Sequence, residues 1–167
     1  NSFLSHFSQY ITQGKNKHLI LHVTNHCNFR CSHCFVDFEG KKRDLKIDDY
    51  QKIANDINNL MWLDIGGGEP FLRKDLYKII NLFKKQVVAI PTNGFLTDNI
   101  IDQVKKIDTS NCELTVNFSI DGLKDTHNKI RKNNDSWDKI WFTFEQLKKI
   151  SKVKLRVITV INNKNIN

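Results

Sequence analysis

The chain has 167 residues, 40% hydrophobic and 26% charged, with 26 Lys and Arg against 18 Asp and Glu for a net charge of +8. That is about one domain of chain with the composition of a globular protein, which excludes wholesale disorder, a collagen-like fibre and a disulfide-dense mini-protein. No apolar run approaches the roughly 20 residues that span a bilayer, and no charged start followed by an apolar block marks a signal peptide. The lysines are spread, with short clusters only at Lys41-Lys42-Arg43 and Lys148-Lys149, and read as a solvated basic surface. Asn1 in first place and a lone Met61 lead us to expect a piece of a longer protein.

Taken in chain order, Phe3, Leu4, Phe7, Tyr10 and Ile11 have helical spacing, closed by Gly14. Residues 1–18 are therefore expected to be an N-terminal helix and lead-in, with residues 19–167 as the main domain. His18–Thr24 reads as a strand that runs into a cysteine-rich loop. Tyr50, Ile53, Ala54, Ile57 and Leu60 predict a helix, with Asp48 or Asp49 near its start. Met61–Ile65 is a second strand, ending in Gly66-Gly67-Gly68-Glu69-Pro70. Leu76, Ile79, Ile80 and Phe83 predict a second helix in this series. Val87–Ile90 is a third strand, stopped by Pro91-Thr92-Asn93-Gly94. A helix follows from Thr97 to Ile107, then a strand over Leu114–Ile120. Trp137, Ile140, Trp141, Phe144, Leu147 and Ile150 form the clearest amphipathic helix, and Val153–Ile161 is the fifth strand.

Strands alternating with helices mean βαβ units and a parallel sheet. An open doubly wound sheet and part of a (β/α) barrel both satisfy this pattern. Both gather chemistry at the C-terminal ends of the strands. The unusual residues lie there: Cys27 after the first strand, Gly66–Glu69 after the second, Asn93 after the third and Asp121 after the fourth.

Three of the four cysteines sit in Cys27-Asn28-Phe29-Arg30-Cys31-Ser32-His33-Cys34. Three close thiols leave one unpaired, which argues against a disulfide framework. Thiolates suit a soft metal or an iron–sulfur cluster. Structural zinc wants four ligands, and His26, His33 or Cys112 could supply the fourth. A four-iron cluster on three thiolates would instead leave one iron open to a chelating ligand, since an all-cysteine site uses four. Cys112 itself reads as a buried, inert thiol.

The spacing of Cys27, Cys31 and Cys34, followed by Phe35, resembles the signature of the radical S-adenosylmethionine (radical SAM) superfamily. Gly66-Gly67-Gly68-Glu69-Pro70 looks like the glycine–glutamate motif of that family, whose backbone holds the amino group of the SAM methionine. Pro91-Thr92-Asn93-Gly94 is similar to the family's third strand end. Ser119-Ile120-Asp121-Gly122, with His127 and Arg131 downstream, is similar to its fourth. The resemblance implies α/β architecture, as a partial (β/α) barrel of five βα units with the sixth strand missing from this chain. It implies metal ligation by Cys27, Cys31 and Cys34, and cofactor contacts from Phe35, Gly66, Gly67, Gly68, Glu69, Asn93, Ser119 and Asp121. Arg131 reads equally well as a surface cation on a turn, and Lys132 stands where the family often has glycine. Val157–Val160 reads first as an apolar core strand, second as a flank for adenine.

The implied function is that of a radical SAM enzyme, an oxidoreductase-type chemistry in the cytoplasm. A [4Fe–4S] cluster would cleave SAM reductively, and the resulting 5′-deoxyadenosyl radical would take hydrogen from a substrate. A peptide or a small cofactor precursor is the expected substrate, with ferredoxin or flavodoxin as electron donor. No membrane and no nucleic-acid partner is expected. The rival reading is a non-catalytic zinc or iron–sulfur module with a nucleic-acid contact suggested by the +8 charge. Neither paired zinc-ribbon knuckles nor an aromatic-and-basic RNA signature supports it. A nucleotide-binding open α/β protein is a further rival.

Overall fold

The computed structural model describes residues 18–38, 44–57 and 59–166. The helix expected over Phe3–Ile11 lies outside those residues. Five parallel strands form one sheet in the order β1-β2-β3-β4-β5. They are β1 (His18–Thr24), β2 (Leu60–Gly67), β3 (Lys85–Thr92), β4 (Glu113–Ser119) and β5 (Val153–Ile158). Between them run α1 (Ile47–Asp56), α2 (Leu76–Leu82), α3 (Thr97–Lys106), α4 (Lys124–Arg131) and α5 (Ser136–Leu147). Strand order equal to chain order has no point at which the winding reverses, so the doubly wound alternative is excluded. Right-handed crossovers then put every helix on one side of the sheet. Consecutive helices accordingly pack on one another, α1 on α2, α2 on α3, α3 on α5 and α4 on α5. This is a partial (β/α) barrel.

The sheet's middle is its core. Val88 and Ile90 of β3 and Leu114, Val116 and Phe118 of β4 are buried among Ile79 and Ile80 of α2, Ile100 of α3 and Ile140 of α5. Near-continuous apolar runs are what a parallel strand covered on both faces requires. Helix α1 starts where the Asp49 carboxylate accepts the Lys46 N–H at 3.0 Å, half of a capping box. It stops at Asp56, and Leu60 belongs to β2 instead of the helix.

Three further expectations are corrected. Pro91 does not stop β3, which continues through Thr92. Pairing of β2 with β3 ends at Ala89 while β4 pairs on to Thr92. Pro91 therefore has a partner on one side only, and its missing N–H is tolerated there as on an edge strand. Val153 and Leu155 of β5 pack against the core, but Val157–Val160 is not a core stretch, since Val157 is 50%, Ile158 43% and Val160 50% exposed. Finally, Lys124–Arg131 is a helix where the sequence suggested a turn. His127 of that helix is fully buried between Asp121 and Ser136: its Nδ1 accepts the Asp121 N–H at 3.2 Å, and its Nε2 meets the Ser136 hydroxyl at 2.9 Å. Burial pushes its pKa down to about 4.

Candidate functional site

The C-terminal ends of the strands carry the site. β1 leaves the sheet through an irregularity between His22 and Thr24, of the kind that re-aims a strand near functional residues. The cysteine loop follows. It is anchored by buried Phe29, whose ring meets Phe95 edge-on at 5.4 Å. The loop folds back on its own thiols. Phe29 N–H donates to the Cys27 sulfur at 3.4 Å, Cys34 N–H to the Cys31 carbonyl at 3.2 Å, and Arg30 to the carbonyls of Cys27 and Phe29 at 2.9 and 2.8 Å. Ser32 N–H donates to the Ile130 carbonyl at 2.8 Å, tying the loop to α4. All four cysteines of the chain are free thiols. Cys27, Cys31 and Cys34 line one cavity of about 300 Å³.

The glycine run, Gly66–Gly68, lines the same cavity. The sequence suggested that these glycines bring backbone close to a ligand, but the structure shows that they first bring it close to the exit of β1. Gly67 has φ +122, and a Cβ there would stand 2.1 Å from the Thr24 carbonyl oxygen. A Cβ on Gly68 would stand 2.1 Å from the His26 carbonyl oxygen and 3.1 Å from Cys27 Cβ. In that closeness Gly68 N–H donates to Thr24 O at 2.7 Å and Glu69 N–H to His26 O at 2.9 Å. The peptide edge facing the cavity is thus stitched to the cysteine loop.

Glu69 does structural work with its side chain. Its buried carboxylate accepts Thr92 Oγ1–H at 2.8 Å, Asn93 N–H at 2.8 Å and Phe71 N–H at 3.4 Å. It so joins the ends of β2 and β3. Burial pushes its pKa up to about 7, against the pull of those donors. A raised folded pKa means the folded chain holds this proton more tightly. The contribution is full below the ordinary value of 4.5 and is lost as pH rises through about 7. His127 has the opposite sense, its contribution being lost as pH falls from 6.5 towards 4. The two slopes overlap, so the difference between chains isolates Glu69. Denaturant unfolding at pH 5 and pH 8 should show the unsubstituted chain losing more stability with rising pH than Glu69→Gln does, by about 2–3 kcal/mol. Equal slopes would refute this role.

Asn93 is likewise a tie: its Nδ2 donates to Asn28 Oδ1 in the cysteine loop at 2.8 Å, and its Oδ1 accepts Phe95 N–H at 3.0 Å. Ser119 at the end of β4 and Phe35, which is 82% exposed beside the His22 ring, complete the cavity wall. The cavity brings together every candidate residue except Asp121. Asp121 is fully buried behind the wall, one oxygen 2.6 Å from Arg131 Nη2 and the other accepting Val160 N–H at 3.2 Å. Arg131 is not a surface cation: it is 9% exposed, and its Nη1 lies 3.7 Å from the Cys31 sulfur. Thr92, from the end of the third strand, and Val160, from the stretch read second as a flank for adenine, also line the cavity, whereas no spacing rule pointed to Asn28, which ties the cysteine loop to Asn93.

Burial pushes the Cys27 thiol up to about 11 against the pull of the Phe29 N–H. The Cys31 thiol is raised by burial too, opposed by Arg131. Such thiols give up their protons to a metal that replaces them. Among the described residues no three Cys, His, Asp or Glu side chains are grouped to hold a single metal ion. Three soft donors on one loop, lining one cavity together with a glycine-built peptide edge, fit an iron–sulfur cluster with a small ligand beside it. A larger hollow of about 500 Å³ lies at the other end of the strands, where Lys85, Asp108 and Cys112 line it. Cys112 there is half-buried and donates to the Asp108 carbonyl at 3.2 Å.

The family model described as the Radical SAM superfamily matches residues 21–167. The GTP 3′,8-cyclase of Campylobacter jejuni (strain RM1221) is 31% identical over 160 residues, covering 89% of this chain and 48% of that protein. The GTP 3′,8-cyclase of Desulforamulus reducens is 33% identical over 162 residues, covering 86% and 46%. Among solved structures, native anSMEcpe with bound AdoMet matches with a TM-score of 0.67 and 24% identity, over 88% of this chain and 44% of that one. Streptococcus suis SuiB bound to precursor peptide SuiA matches with a TM-score of 0.68 and 17% identity, over 99% and 39%. These two likenesses show the fold. The chain spans about half the length of the curated relatives it matches.

Proposed function

The chain belongs to the Radical SAM superfamily, and on that premise we propose that Cys27, Cys31 and Cys34 hold a [4Fe–4S] cluster with S-adenosylmethionine beside it, as the core of an enzyme that removes hydrogen from a substrate. When bound, the pair supplies one-electron cleavage of the sulfonium S–C5′ bond and with it a hydrogen-abstracting primary alkyl radical. This chain's residues bind and orient. The peptide edge of Gly66–Gly68 and Ser119 are our candidates for holding SAM, with Asn93 keeping the third strand's exit against the cysteine loop. Glu69 acts through its carboxylate as the rivet between β2 and β3 and offers SAM its backbone only. Phe35, on the cavity wall, is a further candidate for contacting SAM. Asp121, turned to Arg131, supports the site from behind.

We take residues 19–167 as the radical SAM core, residues 1–18 as its lead-in, and a peptide or small cofactor precursor as the substrate. The Campylobacter relative bears the name of a GTP cyclase and SuiB is bound to a precursor peptide, which supports both classes. A one-electron donor such as ferredoxin or flavodoxin would serve the cluster. We take the cytoplasm, which keeps thiols reduced, as the chain's compartment. No helix among the described residues is long and apolar enough to cross a membrane.

One observation carries this reading: three thiols from a single loop turned into the cavity that the glycine run closes. The test is anaerobic purification with iron and sulfide analysis, then dithionite and SAM, with 5′-deoxyadenosine as the readout. A brown protein with about four irons and four sulfides that forms the nucleoside is expected. A colourless, zinc-loaded chain would overturn the proposal.

A further inference from the structure

The geometry points to Arg131 as a positioning residue that sets the reduction potential of the cluster through the Cys31 sulfur, an inference that rests on the three loop cysteines being its ligands. Two different nitrogens of one guanidinium are used. Nη2 lies 2.6 Å from Asp121 Oδ2, and Nη1 donates to the Cys31 sulfur at 3.7 Å. A planar fork with fixed donors can serve both at once, whereas a lysine ammonium is a single point charge. The placement is rigid. Arg131 is the last residue of α4, whose next residue turns left-handed at Lys132 with φ 53. The preceding carbonyl, Ile130 O, accepts the Ser32 N–H of the cysteine loop at 2.8 Å. Asp121, fully buried, is in turn fixed by the Val160 N–H at 3.2 Å.

A buried cation donating to a cluster thiolate stabilises the state with more negative charge. One-electron reduction adds that charge, the electron coming from an external one-electron donor. Arg131 therefore raises the potential, by the route of hydrogen bonds and local charge that tunes clusters in general. Asp121 acts in the opposite sense while holding the cation in place. His33 Nε2, which carries charge only when protonated, lies 3.7 Å from the same Asp121 oxygen.

The test uses the full chain, reconstituted with iron and sulfide without SAM and titrated with dithionite under spectroscopic control. Arg131→Gln should lower the reduced-to-oxidised ratio at fixed potential about tenfold, which for one electron is about 59 mV to the negative side. Arg131→Lys, which keeps the pair with Asp121 but loses the fork, should shift the same way by less. Asp121→Asn should shift to the positive side. Damage to packing would move Arg131→Gln and Asp121→Asn in one direction, so shifts of equal sign, or none, overturn the inference. Where Arg131→Gln fails to fold, an Arg131→Lys chain with unaltered potential does the same. A chain that takes up no iron overturns the cluster reading and this inference with it, while full loading with unmoved potentials overturns this inference alone.

Discussion

A Cys31→Ala chain is expected to lose 5′-deoxyadenosine formation by more than about 100-fold, since outer partners of metal ligands alone cost up to that factor. The loss should come with a fall in bound iron, not with unfolding. Cys31 is a partly exposed loop residue whose sulfur has one donor, Arg131, and whose backbone ties to Cys34 do not depend on the thiol. Circular dichroism should therefore stay native while the visible absorption disappears. Cys112→Ala is the control. Its thiol sits at the opposite end of the strands, bonded to the Asp108 carbonyl, and its removal should leave iron and nucleoside unaltered. Full turnover by Cys31→Ala, or equal losses in both chains, would remove the cysteine loop from the chemistry.

Gly68→Ala is expected to be nearly as damaging by another route. The added methyl would meet the His26 carbonyl oxygen at 2.1 Å and Cys27 Cβ at 3.1 Å. The first is backbone and the second is fixed by its own Cα, so no side-chain rotation gives relief. The chain must open the hydrogen bonds Gly68 N–H to Thr24 O and Glu69 N–H to His26 O, displacing the cysteine loop from the peptide edge. A cost of about 3 kcal/mol or more follows from clash and lost bonds together, or a fall of about 6–12 °C in Tm for a chain of this size. SAM binding should weaken with it. Gly66→Ala is the milder comparison, because the atom it meets, His22 Cδ2 at 2.8 Å, ends a side chain that can swing away. Unchanged Tm and cofactor binding in Gly68→Ala would show that the close approach is dispensable.

Much of this was legible from the order of residues. Apolar runs such as Val87–Ile90 carry strand information locally, and the three thiols lie within eight consecutive residues, so both survive being read one window at a time. The ties that hold the site do not. Arg131 donates to a sulfur 100 residues away, Asn93 to Asn28 across 65, and Thr92 to Glu69 across 23. No periodicity encodes such pairings. Helix α4 escaped for a related reason: among its eight residues only Ile130 is an apolar core side chain, while His127 and Arg131 are buried through polar partners. The edge character of β5 also depends on a neighbour, since its apolar residues look the same whether another layer covers them or not.

Strands that lie side by side in the order of the chain can dock in the order of synthesis. β1 pairs with β2, β2 with β3, and so on to β5, so each new strand finds its template already in place as it leaves the ribosome. The loops spanned are short compared with the chain, which keeps the entropy of closure low and the rate high. The stitch between the cysteine loop and the glycine run needs only the first two strands and their exits. The metal cradle can therefore be half built before the Arg131 end of the domain has been translated.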